Sequence, residues 1–220
     1  MALDEPPGSR RNAAQTKERI LDAALEEFAT KGYSGARTAG IAKRAGVNQQ
    51  LISYYFGGKE GLLQELRRGW RERRVQLTPA TTAESFPESF AAVLDATLQD
   101  PRRARLVVWQ ALGDYPGDAE ALAQEWKAVT AAAMERIRAR QAAGEVGDLL
   151  EPEFVALLTF LLTFAPVALP QVIEGIYGVD PLSAEYRERV SAQLFALLGV
   201  APVEEGPAGD AAADAAAAAE

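Results

Sequence analysis

Apolar positions recur with a helical period along almost the whole chain. Over about residues 15–31, Ile20, Leu21, Ala24, Leu25 and Phe28 share one face and Lys17, Glu18, Glu26 and Glu27 the other, and Gly32 is placed to close the helix. Two short helices follow. Thr38 can cap residues 39–45, Gly46 supplies a left-handed residue, Val47 is an apolar plug in the turn, and Asn48 can cap residues 49–56. Gly57 and Gly58 stop that helix. Lys59 then opens a longer amphipathic helix to about Leu77, with Leu62, Leu63, Leu66 and Trp70 on one side and Arg67, Arg68, Arg71, Arg73 and Arg74 mostly on others.

The polar, proline-bearing stretch 78–84 reads as a domain boundary. Beyond it the pattern predicts helices over about 86–99, 102–112, 118–143, 153–177 and 183–198, separated by turn signals such as Asp100-Pro101 and Tyr115-Pro116-Gly117. No alternating strand pattern of useful length is present, so the expected fold is all-α. It comprises a helix-turn-helix domain with its connecting helix over 15–77 and a larger helical domain over 84–200. Residues 1–14, with Pro6, Pro7, Gly8, Arg10 and Arg11, read as a flexible basic arm. Residues 201–220 are almost wholly Ala, Glu, Asp, Gly and Pro, and read as a disordered tail, with an alanine-rich helix as the alternative.

Composition narrows the chemistry. The 220 residues include no histidine and no cysteine, which removes disulfides, thiolate and imidazole metal sites, and nucleophiles that depend on a Cys-His or Ser-His pair. No metal, cofactor or catalytic residue is expected. Carboxylates such as Glu84, Glu88, Asp95, Glu151 and Glu153 sit at helix starts or on polar faces, where capping and solvation account for them. The first residues lack the apolar core of a signal peptide, and a cytoplasmic protein is expected.

The net charge of −8 is unevenly spread. Residues 1–77 hold 14 Lys and Arg against 9 Asp and Glu, whereas the remainder is strongly acidic. The basic part is the part that can approach phosphate.

Residues 38–56 have the parts of a helix-turn-helix: a short helix, a glycine turn and a second short helix with an apolar inner side. With Ile52 as the inward reference and about 100° per residue, Asn48 and Phe56 lie near it, Gln50, Ser53 and Tyr54 lie opposite, and Gln49, Leu51 and Tyr55 lie on the flanks. Glutamine can pair with adenine N6 and N7 in the major groove, and hydroxyls reach phosphate oxygens. A solvated helix in a small bundle is the competing reading of the same pattern.

The residues themselves add to the pattern. Ile20-Leu21-Asp22-Ala23-Ala24 through Phe28, Lys31-Gly32-Tyr33, Ile41-Ala42-Lys43-Arg44-Ala45-Gly46-Val47, Tyr54-Tyr55-Phe56 and Lys59-Glu60-Gly61-Leu62-Leu63, in this order, closely resemble the tetracycline-repressor (TetR) family of bacterial regulators over about residues 16–66. The resemblance implies three N-terminal helices joined by a fourth to a regulatory domain, in a homodimer that binds a double-stranded operator, an inverted repeat, and is released by a small-molecule effector. It further implies phosphate contacts from Thr38, Tyr54 and Lys59, and a groove-facing set of Asn48, Gln49, Gln50, Leu51, Ser53 and Tyr55. Ser53 stands where the family often has tyrosine or tryptophan, and Tyr55 where it often has histidine. Lys59 also has an argument of its own, because a helix start already favours a phosphate. Arg10 and Arg11 can reach an adjacent minor groove, or simply solubilise the terminus.

In the C-terminal part, residues 154–170 are nearly continuously apolar. The run is marginal in length for a bilayer, carries Pro166 and Pro170, and has no basic anchor, so burial against its own domain and a second subunit is expected instead of a membrane span. Tyr186, Val190, Leu194, Phe195 and Leu198 form a second stripe, expected to share a four-helix dimer interface with it. Trp109, Tyr115, Trp126, Met134 and Phe160 are candidates to line a pocket for an apolar or aromatic effector, with core packing the alternative for each. A protein-binding helical module is the principal rival from another class; it predicts no affinity for DNA.

Overall fold

The computed structural model describes residues 7–77 and 85–200, with side chains over 12–72 and 85–200. Among the described residues every regular element is a helix: α1 (Pro7–Gly35), α2 (Thr38–Ala45), α3 (Gln50–Phe56), α4 (Lys59–Leu77), α5 (Phe86–Gln99), α6 (Pro101–Ala111), α7 (Ala119–Ala142), α8 (Pro152–Ala168), α9 (Pro170–Tyr177) and α10 (Ala184–Leu197).

Three expectations are corrected. α1 starts at Pro7, about two turns early, so residues 7–14 are helical and not an arm; proline at a first helical position loses only an N–H that would have no helical partner. Residues 1–6, the boundary 78–84, the tail 201–220 and the side chains of Arg10 and Arg11 lie outside the described residues. Thr38 does not cap α2 but is its first residue; Arg37 is the N-cap, with no side-chain cap. The single helix expected over 153–177 is two, α8 and α9, bent by 99°. Pro170 has no N–H to continue the ladder, and Leu169 before it leaves the helical region at φ −134° and ψ 49°. No single described helix is long and apolar enough to cross a membrane.

Two cores organise the described residues. The first joins α1 to α4 through Ile20, Phe28, Ile41, Ile52, Leu62 and Leu63, and is completed by Leu106 of α6. Each such side chain contributes roughly 1.5–3 kcal/mol on burial. The second gathers Phe86, Phe90 and Leu94 of α5 with Ile137, Val155, Tyr186, Val190 and Leu194. The α10 stripe is thus spent inside its own chain. Apolar side chains are left outward on α8 and α9, where Phe154, Leu157, Leu161, Val172 and Ile176 are exposed, and at Leu197 of α10.

α6 crosses the sequence boundary to lie on α1, and polar contacts fix it there. Arg102 of α6 reaches Asp22 at 2.9 Å, and Trp109 donates its Nε1–H to the Ala29 carbonyl at 3.2 Å. On α4, Arg67 donates to the Tyr115 hydroxyl and to Glu125 of α7, each at 2.6 Å.

Candidate nucleic-acid interface

The turn between α2 and α3 follows from its residues. Gly46 closes α2 at φ 63° and ψ 41°, a left-handed conformation that costs a glycine nothing. Val47 then packs against the first core. Asn48 is exposed, not turned inward, and its side-chain oxygen accepts the Gln50 N–H at 2.9 Å; it lies one residue ahead of the N-cap of α3, which is Gln49 and has no side-chain cap. Arg19 of α1 donates to the carbonyls of Ala45 and Gly46, closing the end of α2 from outside. Sequence reasoning missed Arg19; its only signal was a basic residue next to the buried Ile20.

α3 presents its faces as the helical period requires. Ile52 is wholly buried, whereas Gln50 and Ser53 are exposed and Tyr54 is 79% exposed. Leu51 and Tyr55 are half-buried and lean on the core, each with one edge outward. Tyr55 is further fixed by Tyr54, edge-on at 5.0 Å, and by the Lys17 ammonium 5.3 Å from its ring. Thr38 accepts a hydrogen bond from the Gln49 amide at 2.9 Å, which joins the first residue of α2 to the one preceding α3. Lys59, at the head of α4, lies 4.4 Å from the Tyr33 ring and donates to the Ser34 carbonyl at 3.5 Å.

Of the nine residues assigned to DNA, Asn48, Gln49, Gln50, Ser53 and Tyr54 are exposed, Thr38 is tied to Gln49, Leu51 and Tyr55 are half-buried beside them, and Lys59 stands at the head of α4 against Tyr33 and Ser34. Lys43 and Arg44 of α2 and Arg37 before it are also exposed.

The five pocket candidates divide. Trp126 and Phe160 meet edge-to-face at 5.8 Å, and Trp70 of α4 and Phe164 of α8 extend them into a row. The sequence marks Trp70 only as part of the apolar face of α4. Met134 is half-buried on α7, about two turns beyond Trp126. Trp109 and Tyr115 lie outside this row, the first bonded to Ala29 of α1 and the second beneath the Arg67 guanidinium at 4.7 Å. A cavity beside Trp70, bordered by Leu25, Leu66, Leu106, Val107 and Gln110, holds about 10 Å³, room for one water at most.

Comparison with known proteins agrees with this geometry. Residues 20–66 match the family described as bacterial regulatory proteins, tetR family, and residues 86–194 match the tetracyclin repressor-like C-terminal domain. The HTH-type transcriptional repressor SCO4008 of Streptomyces coelicolor is 31% identical over 177 residues, covering 76% of this chain and 86% of its own. The structure of the regulator SCO4942 from Streptomyces coelicolor superimposes with a TM-score of 0.61 at 26% identity, over 83% of this chain and 96% of its own. FadR from Bacillus subtilis, in complex with stearoyl-CoA, shares the fold with a TM-score of 0.57 at 19% identity, over 83% of this chain and 97% of its own. The chain belongs to the tetR family of bacterial regulatory proteins and is a helix-turn-helix, DNA-binding transcriptional regulator.

Proposed function

We propose that the protein is a repressor that occupies an inverted-repeat operator as a homodimer and is released when a small apolar or aromatic molecule enters its regulatory domain. The observation that carries this reading is the bare Gln50, Ser53 and Tyr54 face of α3, on a helix whose opposite side is locked into the core by Ile52. Gln50 and Ser53 meet base edges, with Asn48, Gln49, Leu51 and Tyr55 along the groove, while Thr38, Tyr54 and Lys59 hold phosphates.

A dimer supplies two such faces, which must sit one helical turn of DNA apart, roughly 34 Å. The outward apolar residues of α8 and α9 are the surface for the second copy, since burying Phe154, Leu157 and Leu161 removes from water what their own core leaves exposed. Effector entry is assigned to the Trp70, Trp126 and Phe160 row. The adjoining cavity is too small for any effector, so binding must part α4 from α6 and α7 and thereby move α4, whose head carries Lys59. The complex of FadR with stearoyl-CoA is a precedent on this fold for a ligand with a long apolar chain. A hundredfold weakening of operator affinity requires the effector to favour the released state by about 2.7 kcal/mol.

The test is selection from a random duplex library with the full-length protein, followed by titration of the enriched site across salt concentrations. Enrichment of an inverted repeat bound with steep salt dependence supports the reading; no enrichment at low salt contradicts it.

A further inference from the structure

The turn that ends α1 is held from outside its own domain. Gly32 adopts φ 69° and ψ 178°, breaking the helix one turn before Gly35. Space is closed there as well. A Cβ on Gly32 would lie 2.1 Å from Asp114 Oδ2 and 3.2 Å from two carbons of the Trp109 ring, so only glycine lets these residues approach. Both come from the end of α6 and the loop after it. Beyond the glycine, the Asp114 carboxylate accepts the Ser34 N–H, at 3.0 Å on Oδ1 and 3.3 Å on Oδ2, and the Ser34 hydroxyl at 2.5 Å. From the other side, Lys59 donates to the Ser34 carbonyl and covers the Tyr33 ring. The dipeptide Tyr33-Ser34 is thus gripped by a carboxylate of the regulatory domain and by the lysine at the head of α4.

Partial burial pushes the Asp114 carboxyl up, but Ser34, the Tyr33 N–H and the charge of Lys59 outweigh it and hold the group below the ordinary carboxylate range. The acceptor is therefore ionised at neutral pH, which makes its hydrogen bonds strong.

We propose that Asp114 is a positioning residue for DNA binding: it fixes the Tyr33-Ser34 turn and, through it, the Lys59 ammonium, so that displacing the α6–α7 loop weakens the hold on phosphate without touching α3. The inference rests on the reading of Lys59 as a phosphate contact. It gives the regulatory domain a line to the interface separate from the Arg67 contacts to Tyr115 and Glu125. Electrostatics alone predicts the opposite sign, because a carboxylate near the interface repels phosphate and its removal should tighten binding.

The test titrates full-length Asp114→Ala and Asp114→Asn, each with Lys59 intact and with Lys59→Ala, against the selected operator and a shuffled duplex. Asp114→Ala is expected to weaken both duplexes about tenfold and Asp114→Asn less, the worth of a charged hydrogen bond. With Lys59→Ala already present, the further loss is expected to be under twofold. Tighter or unchanged binding by Asp114→Ala, or the same loss in both backgrounds, overturns the inference while leaving the regulator reading intact. Failure of the wild-type protein to bind any duplex overturns both. Should Asp114→Ala fail to fold, Ser34→Ala removes the hydroxyl from the other side of the contact; it is expected to weaken both duplexes only when Lys59 is intact, and loss in both backgrounds again overturns the inference.

Discussion

The Gln49 amide donates to the Thr38 hydroxyl at 2.9 Å, so a residue assigned to the groove is held by a residue assigned to phosphate. The contact makes α2 and the start of α3 one unit on the DNA-facing side. Thr38→Val keeps the shape and removes the acceptor. Operator affinity measured by fluorescence anisotropy is expected to fall by about 1 kcal/mol. The pair lies at the surface, so the thermal midpoint should barely move. Unchanged affinity would separate Thr38 from DNA binding.

Leu161 is 53% exposed on α8, on the same outward face as Phe154 and Leu157. A glutamate there would place a charge in the proposed dimer interface while leaving the chain's own core untouched. Leu161→Glu is expected to sediment as a helical monomer and to lose operator binding. A dimer of unchanged mass would move the interface elsewhere.

Glu27 is a buried carboxylate, 2% exposed, that accepts from Lys31 at 2.6 Å and from the Arg37 N–H at 3.5 Å. Burial raises its carboxyl, but the hydrogen bonds from Lys31 and Arg37 and the charges of Lys31 and Arg44 more than offset this. Asp114 is lowered likewise. A carboxyl that titrates lower folded than unfolded stabilises the fold above its unfolded value, about 4, and loses that contribution as pH falls through the folded one. The thermal midpoint should therefore be flat from neutrality to about pH 5 and drop below about pH 4, with a shallower acid limb in Glu27→Gln. A midpoint that rises on acidification over that range would contradict the assignment.

Tyr186 is fully buried, and its hydroxyl has no hydrogen-bond partner among the described residues. Burial, with Tyr177 beside it, pushes its ionisation up to about 12. An unmet buried hydroxyl costs free energy, so Tyr186→Phe should be neutral or stabilising by up to about 1 kcal/mol in urea denaturation. Clear destabilisation would mean that the hydroxyl has a partner after all.

Much of this fold was legible because helices announce themselves locally. Gly46 and Val47 do in space what their types suggest, and the 100° rotation about Ile52 separated the buried from the bare side of α3. Asn48 was the exception on that wheel, because it precedes the helix, ahead of the N-cap Gln49, and does not share its phase. What periodicity could not supply was tertiary choice. The α10 stripe has the pattern expected of a dimer interface, but packing against α5 buries it within its own chain. Trp109 and Tyr115 carry the residue types of a pocket, yet long-range partners at Ala29 and Arg67 drew them to the domain junction. The grip of Asp114 on Ser34, 80 residues away, has no sequence signature at all.

The central claim, that this regulator reads sequence through the outward face of α3, is tested most directly by the ratio of affinities for the selected operator and a shuffled duplex, in wild type and in Gln50→Ala. A wild-type ratio of about a thousandfold or more is expected. Gln50→Ala should cost roughly 1–3 kcal/mol on the operator, relax preference at one base pair and leave the shuffled duplex unaffected. A wild-type ratio near one, or a variant that weakens both duplexes equally, would contradict the account.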